Sequence, residues 1–119
     1  MDKVYIPEEK FLSKNFTLAK SEMKDWISDA MWEGLKDCFR TPICEQYKND
    51  IVFTEHIVGF VRTLYVDDKN DSISFEGLFW PKYSYKNKEQ WENVEITGVS
   101  FYTIGEENPN KIPVSCFYV

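Results

Sequence analysis

This chain of 119 residues is acidic and rich in aromatic side chains. Its formal net charge is −6 at pH 7, and aromatic residues make up 17% of it. The length predicts a single domain, residues 1–119, which buries a core without metals or disulfides. The negative charge argues against a broad nucleic-acid-binding surface and favours association with a basic partner. We also expect no membrane association, because no stretch approaches the roughly 20 apolar residues that span a bilayer.

The cysteines indicate a compartment. Cys38, Cys44 and Cys116 cannot all pair within the chain. The N-terminal residues are of mixed polarity and do not resemble a secretion signal. We therefore expect free thiols and a cytoplasmic location. A secreted protein with one disulfide is the alternative.

The first part of the chain carries helical signals. Val4 to Ile6 predicts a short strand, and the charged stretch to Asn15 predicts an extended arm or a helical turn. After Ser21, a predicted N-cap, apolar residues recur at 23, 26, 27, 30, 31, 34, 35, 38 and 39. This spacing predicts a helix that ends near Arg40.

A second helix start is predicted at Thr41-Pro42, since proline is favoured at the first helical position. We expect this short helix to run from Pro42 to about Lys48.

From Ile51 onward the pattern favours β-structure. Strands are predicted at 51–66, 72–80, 94–104 and 112–119, with turns at 67–71 and 105–110. Gly59 and Gly98 are candidate bulge positions, and the last strand is a candidate sheet edge. The predicted fold class is therefore α+β, with N-terminal helices packed on one face of a curved antiparallel sheet of four to five strands.

Trp32 fits the long predicted helix least well. On a helical wheel it lies on the polar side, beside Asp25, Asp29 and Lys36. A large ring framed by charges is typical of an anchor for a protein partner. The competing interpretation is a core position covered by the N-terminal arm. Trp26 lies on the apolar stripe and is predicted to be buried.

A second candidate surface is the loop at 81–90. Residues 80–88 hold three lysines, three aromatic rings and no acid. Trp80, Tyr83 and Tyr85 are therefore candidate partner-binding residues, since rings among lysines suit an acidic partner or single-stranded nucleic acid. The alternative is an ordinary solvated hairpin loop, which the overall negative charge favours.

Signals for catalysis are weak. His56 is the only histidine, and its neighbour Glu55 points to the opposite face of a strand. Cys44, near the predicted start of the second helix, is the best nucleophile candidate. It would need His56 and an acid such as Glu55 or Glu76 to meet it in the folded protein. We expect no catalytic residues.

Metal and cofactor motifs are also weak. The segment 67–71 holds three carboxylates but lacks the glycine and glutamate of an EF-hand, so it predicts a turn. One histidine and scattered cysteines do not have zinc-ligand spacing. No phosphate-binding loop or dinucleotide fingerprint is present. We therefore expect no cofactor and no metal.

Together these observations favour a small cytoplasmic binding protein that inhibits a macromolecule by covering its surface. Bacterial immunity proteins, antitoxins and phage-encoded inhibitors are of this physical type. The partner would be a basic protein such as a nuclease toxin, and the chain itself a monomer or weak homodimer that does not bind nucleic acid directly.

Two other functions remain open at this stage. The first is an enzyme or small-ligand domain of the cone-shaped α+β type, with a pocket near His56 lined by Tyr65, Trp80 and Tyr102. The second is an acidic mimic of DNA, which the mixture of acids with bases disfavours.

Overall fold

The computed structural model describes residues 11–48, 50–51, 53–81, 84–105, 107 and 109–119. In this part of the chain six strands form one sheet, accompanied by two short α-helices. The strands are β1 (Leu12–Ala19), β2 (Pro42–Lys48), β3 (Phe53–Asp67), β4 (Ser72–Phe79), β5 (Gly98–Phe101) and β6 (Val114–Tyr118). The helices are α1 (Asp29–Leu35) and α2 (Lys88–Glu92), and a 3₁₀ turn at Lys20–Met23 follows β1.

The strand order is β1-β4-β3-β2-β6-β5. All neighbouring pairs are antiparallel except β2 and β6, which are parallel. The predicted fold class is therefore wrong: the sheet is mixed and larger than expected, and no long helix packs on it among the described residues. The last strand, predicted as an edge, lies inside the sheet between β2 and β5.

The segment predicted as the second helix is strand β2. Pro42 is the first residue of the strand, a position where its missing N–H is tolerated. Ile43 and Glu45 point to one face and Cys44 to the other, and all three are buried. The consecutive buried residues 43–45 hide the alternation that would have identified a strand.

The long N-terminal helix is replaced by the 3₁₀ turn and the seven residues of α1. Ser28, not Ser21, caps α1 by accepting a hydrogen bond from the Met31 N–H at 3.1 Å. Backbone bonds from Trp26 and Ile27 to the Met23 carbonyl close a separate turn before it. The apolar side predicted for one continuous helix from residue 23 therefore does not extend into α1.

The β3–β4 hairpin confirms the corresponding predictions. β3 is an interior strand, and residues 68–71 turn the chain into β4. Ile73, Phe75 and Phe79 of β4 are buried on one face, whereas Ser74 and Glu76 point to the other. Alternation with turn residues at one end is a local signal, so it is readable from sequence.

Of the two glycines that were candidate bulge positions, Gly59 lies beside a bulge and Gly98 does not. Opposite β2, the pairing shifts so that Val58, next to Gly59, is the extra residue of β3. Gly98 is not a bulge: it pairs with Tyr118 at the start of β5, and the shift in that pair leaves Ser115 of β6 unpaired.

The hydrophobic core lies on one side of the sheet, which we call the covered face. Its strand residues pack with Trp32 and Leu35 of α1 and with Trp91 of α2. The buried strand side chains in this core are Ile43, Val58, Val61, Ile73, Phe75, Phe79, Val114 and Phe117. The contact between α1 and the chain before β6 is close, because a Cβ at Gly34 would lie 1.7 Å from the Ile112 carbonyl oxygen.

The alternate residues of the strands form the opposite side, which we call the open face. Where their burial is described, these side chains are exposed or half-buried, with the exception of Cys44 and Cys116, which are buried. The shortest principal extent of the molecule is 21 Å. This thickness accommodates the sheet and one further layer, since packed layers are about 10 Å apart. The described segments therefore leave one broad face of the sheet uncovered.

Candidate functional site

The open face carries large apolar side chains around its centre. Strand pairing places Phe60 opposite both Pro42 and Leu78, and Tyr65 opposite Ser74. The ring of Trp80 lies 6.2 Å from that of Phe60. Five large side chains define this group, which we call the apolar patch: Ile57, Phe60, Tyr65, Leu78 and Trp80.

The two outer members of the apolar patch are well exposed. Ile57 is 52% and Tyr65 66% exposed, whereas Phe60, Leu78 and Trp80 are half-buried. Single exposed apolar residues are ordinary on protein surfaces, but several large apolar side chains on one sheet face are typical of an interaction site. Tyr65 is separated from Phe60 and Leu78 by the Thr63–Glu76 pair. Aromatic rings that are already held by neighbours are also good anchors, since little entropy is lost on binding.

Charges on the open face are partly neutralised. The guanidinium of Arg62 binds both carboxylate oxygens of Glu76 at 2.9 Å, and Ser13 donates to the same carboxylate. The hydrogen bond from Arg62, followed by that from Ser13, holds the pKa of Glu76 below its usual value.

Glu55 on the same face is different. Its carboxylate accepts hydrogen bonds from the Gln46 amide at 3.2 Å and from the Tyr118 hydroxyl at 3.3 Å. Neither donor carries a charge, and no ion pair in the described part of the chain includes Glu55. Since Ile57 follows it on the same face, the apolar patch is bordered by an exposed, uncompensated negative charge.

Two cysteines lie beside Glu55. Cys44 of β2 and Cys116 of β6 point to the open face, and their sulfur atoms lie within 4.8 Å of each other and of a Glu55 carboxylate oxygen. Burial, then the neighbouring Cys116, raises the pKa of Cys44 to about 12. Cys44 is therefore protonated at neutral pH and does not have the dipole-activated thiol expected from a helix start.

The covered face carries a buried carboxylate near its border. Glu45 is 1% exposed. It accepts hydrogen bonds from the Ser84 hydroxyl at 2.6 Å and from the Tyr85 N–H at 2.7 Å, and the Lys86 ammonium lies 3.8 Å away. His56 Nε2 lies 3.3 Å from the carboxylate, without hydrogen-bond geometry. These contacts fasten residues 84–86 to β2.

This group does not have the order of a hydrolytic triad. In such a site a nucleophile donates to a histidine, which an acid orients. Here Ser84 donates to Glu45 directly, and the ring of Tyr85 packs against His56 at 5.3 Å. Cys44 points to the opposite face of the sheet from His56, so those two residues are not brought together. The arrangement is therefore that of a structural clamp.

The two N-terminal tryptophans are placed the other way round from the sequence prediction. Trp32 is 3% exposed and lies in the core, whereas Trp26 is 51% exposed. The exposed anchor expected at Trp32 is wrong, and so is the burial expected for Trp26. The cause is the break before Ser28, because both positions were assigned from one uninterrupted helical wheel.

The charged neighbours predicted for Trp32 remain at the surface. Asp25 and Asp29 are exposed, and Asp29 pairs with Lys20 at 2.9 Å. Lys36 contacts Glu33 at 2.9 Å and Asp68 at 3.0 Å, which ties α1 to the β3–β4 turn. With Trp32 in the core, they no longer frame an exposed ring.

The candidate partner-binding residues within 80–88 do not lie together either. Trp80 joins the apolar patch, whereas Tyr85 stacks on Tyr47 at 4.4 Å near the Glu45 clamp. Tyr83 lies outside the described residues, as does the predicted strand at 4–6. The pocket proposed around His56 is not assembled, because His56 belongs to the covered face and both Tyr65 and Trp80 to the open face.

A depression of about 320 Å³ lies elsewhere, between α2 and the end of β6. It is lined by Lys86, Gln90, Asn93, Val94, Glu95, Thr97 and Val119. Its lining is mixed in charge and does not include His56.

Sequence reasoning missed the apolar patch, although its signal was present. Residues 57, 60 and 65 are apolar within β3, but the extra residues in this strand break their alternation. Comparison with protein-family models, with curated proteins and with solved structures finds no match to this chain. Among the described residues, none of the helices is long and apolar enough to cross a bilayer.

Proposed function

We propose that this chain is a binding protein whose open face holds a basic protein partner and inhibits it by covering its surface. The observation that carries the proposal is the apolar patch, exposed on a sheet face that no described segment covers. Apolar side chains at the centre of an interface supply most of its binding energy, and a polar rim excludes water.

Charge complementarity supports a basic partner. The chain has a net charge of −6, and Glu55 next to Ile57 has only neutral hydrogen-bond partners. A lysine or arginine that reached this carboxylate would replace solvent with an ion pair at the border of the patch. The cytoplasm is the proposed location, in keeping with three free thiols.

The experiment compares two tyrosines of similar exposure. Tyr65, in the apolar patch, is 66% exposed, and Tyr102, outside the sheet, is 58% exposed. Four tagged proteins are incubated separately with the native lysate at low and at high salt: wild type, Tyr65→Ser, Ile57→Lys and Tyr102→Ser. The proteins that each one captures are identified by mass spectrometry.

We expect a basic protein to be recovered with wild type and with Tyr102→Ser, less so at high salt, and to be lost with Ile57→Lys. With the partner purified, Tyr65→Ser should weaken binding by more than about 1 kcal/mol in titration calorimetry. Equal recovery of the same protein by wild type and all three variants, or recovery of none by wild type, would contradict the proposal.

A further inference from the structure

We propose that Cys44, Cys116 and Glu55 form a zinc-binding site on the open face of the sheet. Each offers one donor atom, and the three atoms lie within 4.8 Å of one another. They come from three neighbouring strands, β6, β2 and β3. The site shares Glu55 with the border of the apolar patch, but zinc binding does not require the proposed protein partner.

The donor separations suit a tetrahedral ion. Zinc bonds to thiolate sulfur at about 2.3 Å and to carboxylate oxygen at about 2.1 Å, so its ligands lie roughly 3.5 Å apart. Because no separation exceeds 4.8 Å, contraction to about 3.5 Å requires movements of about 1 Å or less. Two thiolates and one carboxylate leave a fourth position for water or for a side chain of a bound molecule.

A disulfide fits this pair of cysteines less well than a shared ion. Cys44 pairs with Tyr118 across the parallel β2–β6 ladder, so Cys116 lies two residues from the directly opposite position. Strand spacing and rise then put the two Cα atoms roughly 8 Å apart. Disulfides require Cα atoms within about 7 Å. Two metal–sulfur bonds span the longer distance without movement of the backbone.

The surroundings of Glu55 match those of a ligating carboxylate. Gln46 donates to one of its oxygens and Tyr118 to the other, at 3.2 and 3.3 Å. Hydrogen bonds of this kind fix a ligand's orientation and are commonly found around metal sites. Each carboxylate oxygen of Glu55 accepts one of these hydrogen bonds and keeps a second lone pair that can bind the ion.

No ion pair among the described residues includes a member of the cluster. A carboxylate and two potential thiolates beside one another gain from a divalent cation between them, because the cation offsets their negative charge. On binding, zinc would displace the two thiol protons to solvent, so its affinity should rise with pH.

The test uses the full chain, reduced and stripped of metal with a chelator. Cobalt(II) is added first as a spectroscopic probe, and zinc is then titrated against a chromophoric zinc chelator. We expect one ion per chain, a cobalt–thiolate charge-transfer absorption that zinc abolishes, and slower alkylation of Cys44 and Cys116 with zinc than without it.

Two substitutions locate the ion, and Cys38→Ser is the matched control, because Cys38 is buried in the core away from the cluster. Cys44→Ser should raise the zinc Kd by about 100-fold or more, and Glu55→Gln by about 10-fold or more. Cys38→Ser should leave it unchanged. Glu55 is exposed, so this variant decides the matter if Cys44→Ser does not fold.

Three results would overturn the proposal. The first is that wild type with reduced thiols does not bind zinc. The second is that Glu55→Gln and wild type have the same zinc Kd. The third is that the cobalt(II) complex absorbs without a thiolate charge-transfer band. Formation of a Cys44–Cys116 disulfide in the presence of zinc and air would also count against it, since the backbone would then prefer the covalent link.

Discussion

The two faces of the sheet serve different purposes although they are built from the same strands. On the covered face, Phe79 and Phe117 are fully buried, and the buried carboxylate of Glu45 accepts hydrogen bonds from Ser84 and Tyr85. On the open face, Ile57 and Tyr65 remain exposed, and the Glu55 carboxylate meets only neutral groups. Adjacent residues of β2 and β3 therefore contribute alternately to stability and to an available surface.

This difference predicts where substitutions unfold the protein and where they change only what it binds. Residues of the covered face should control the free energy of unfolding. Residues of the open face should affect ligands while leaving stability nearly unchanged.

The largest effect is expected for Phe79→Ala. The ring is fully buried and lies 5.0 Å from that of Trp91, so its loss leaves a cavity between β4 and α2. We expect a loss of about 3–5 kcal/mol in urea denaturation. Leu78→Ala, one residue earlier and on the open face, is the control and should cost clearly less. Equal losses would show that the two faces are not distinct.

A smaller loss is expected when the Glu45 clamp is broken. Glu45→Ala leaves the Ser84 hydroxyl and the Tyr85 N–H without their acceptor. We expect destabilisation by about 2 kcal/mol and faster hydrogen exchange at residues 84–86. Glu45→Gln keeps one carbonyl acceptor and should lose less. Unchanged exchange in Glu45→Ala would mean that the clamp does not hold this segment.

The buried thiol of the core predicts an alkaline limit to stability. Burial raises the pKa of Cys38 from 9.0 to about 12. The folded state keeps the proton that the unfolded chain loses, so stability is complete below pH 9 and falls as the pH rises toward 12. We expect a loss of about 1 kcal/mol between pH 8 and pH 10 in denaturation curves. Cys38→Ala should show a smaller decrease over this range; an identical decrease would assign it to other groups.

The smallest effect on stability is expected at the open face. Tyr65→Ser removes a ring that is 66% exposed and pairs across the ladder with Ser74. The free energy of unfolding should change by less than about 0.5 kcal/mol. A loss of more than about 2 kcal/mol would show that the ring is part of the packed structure, and would remove it from the apolar patch.

Part of this fold could be read from sequence. The β3–β4 hairpin was predicted correctly, because Ile73, Phe75 and Phe79 alternate with polar residues and a run of aspartates and asparagine precedes them. These signals are local: each depends on residues within one or two turns or strand steps.

The N-terminal half could not be read in the same way. Its apolar spacing fits a helix, yet turns at Met23 and a cap at Ser28 interrupt it, and Trp26 and Trp32 exchange environments as a result. Pro42 suggested a helix start and instead begins β2. The buried side of a helix can be extrapolated along the sequence only while the helix is continuous. A break in the helix therefore changes which of the later side chains are buried.

The sequence by itself therefore determined the hairpin, the acidic charge and the abundance of apolar and aromatic side chains. Only the tertiary structure decided that β6 inserts beside β2, that one face of the sheet stays open, and that Cys44 and Cys116 lie beside Glu55. The physical reason is the separation along the chain over which each kind of interaction acts. Alternation and turn chemistry act between near neighbours in the chain, whereas strand order and the residues it brings together depend on how the whole chain buries its apolar surface.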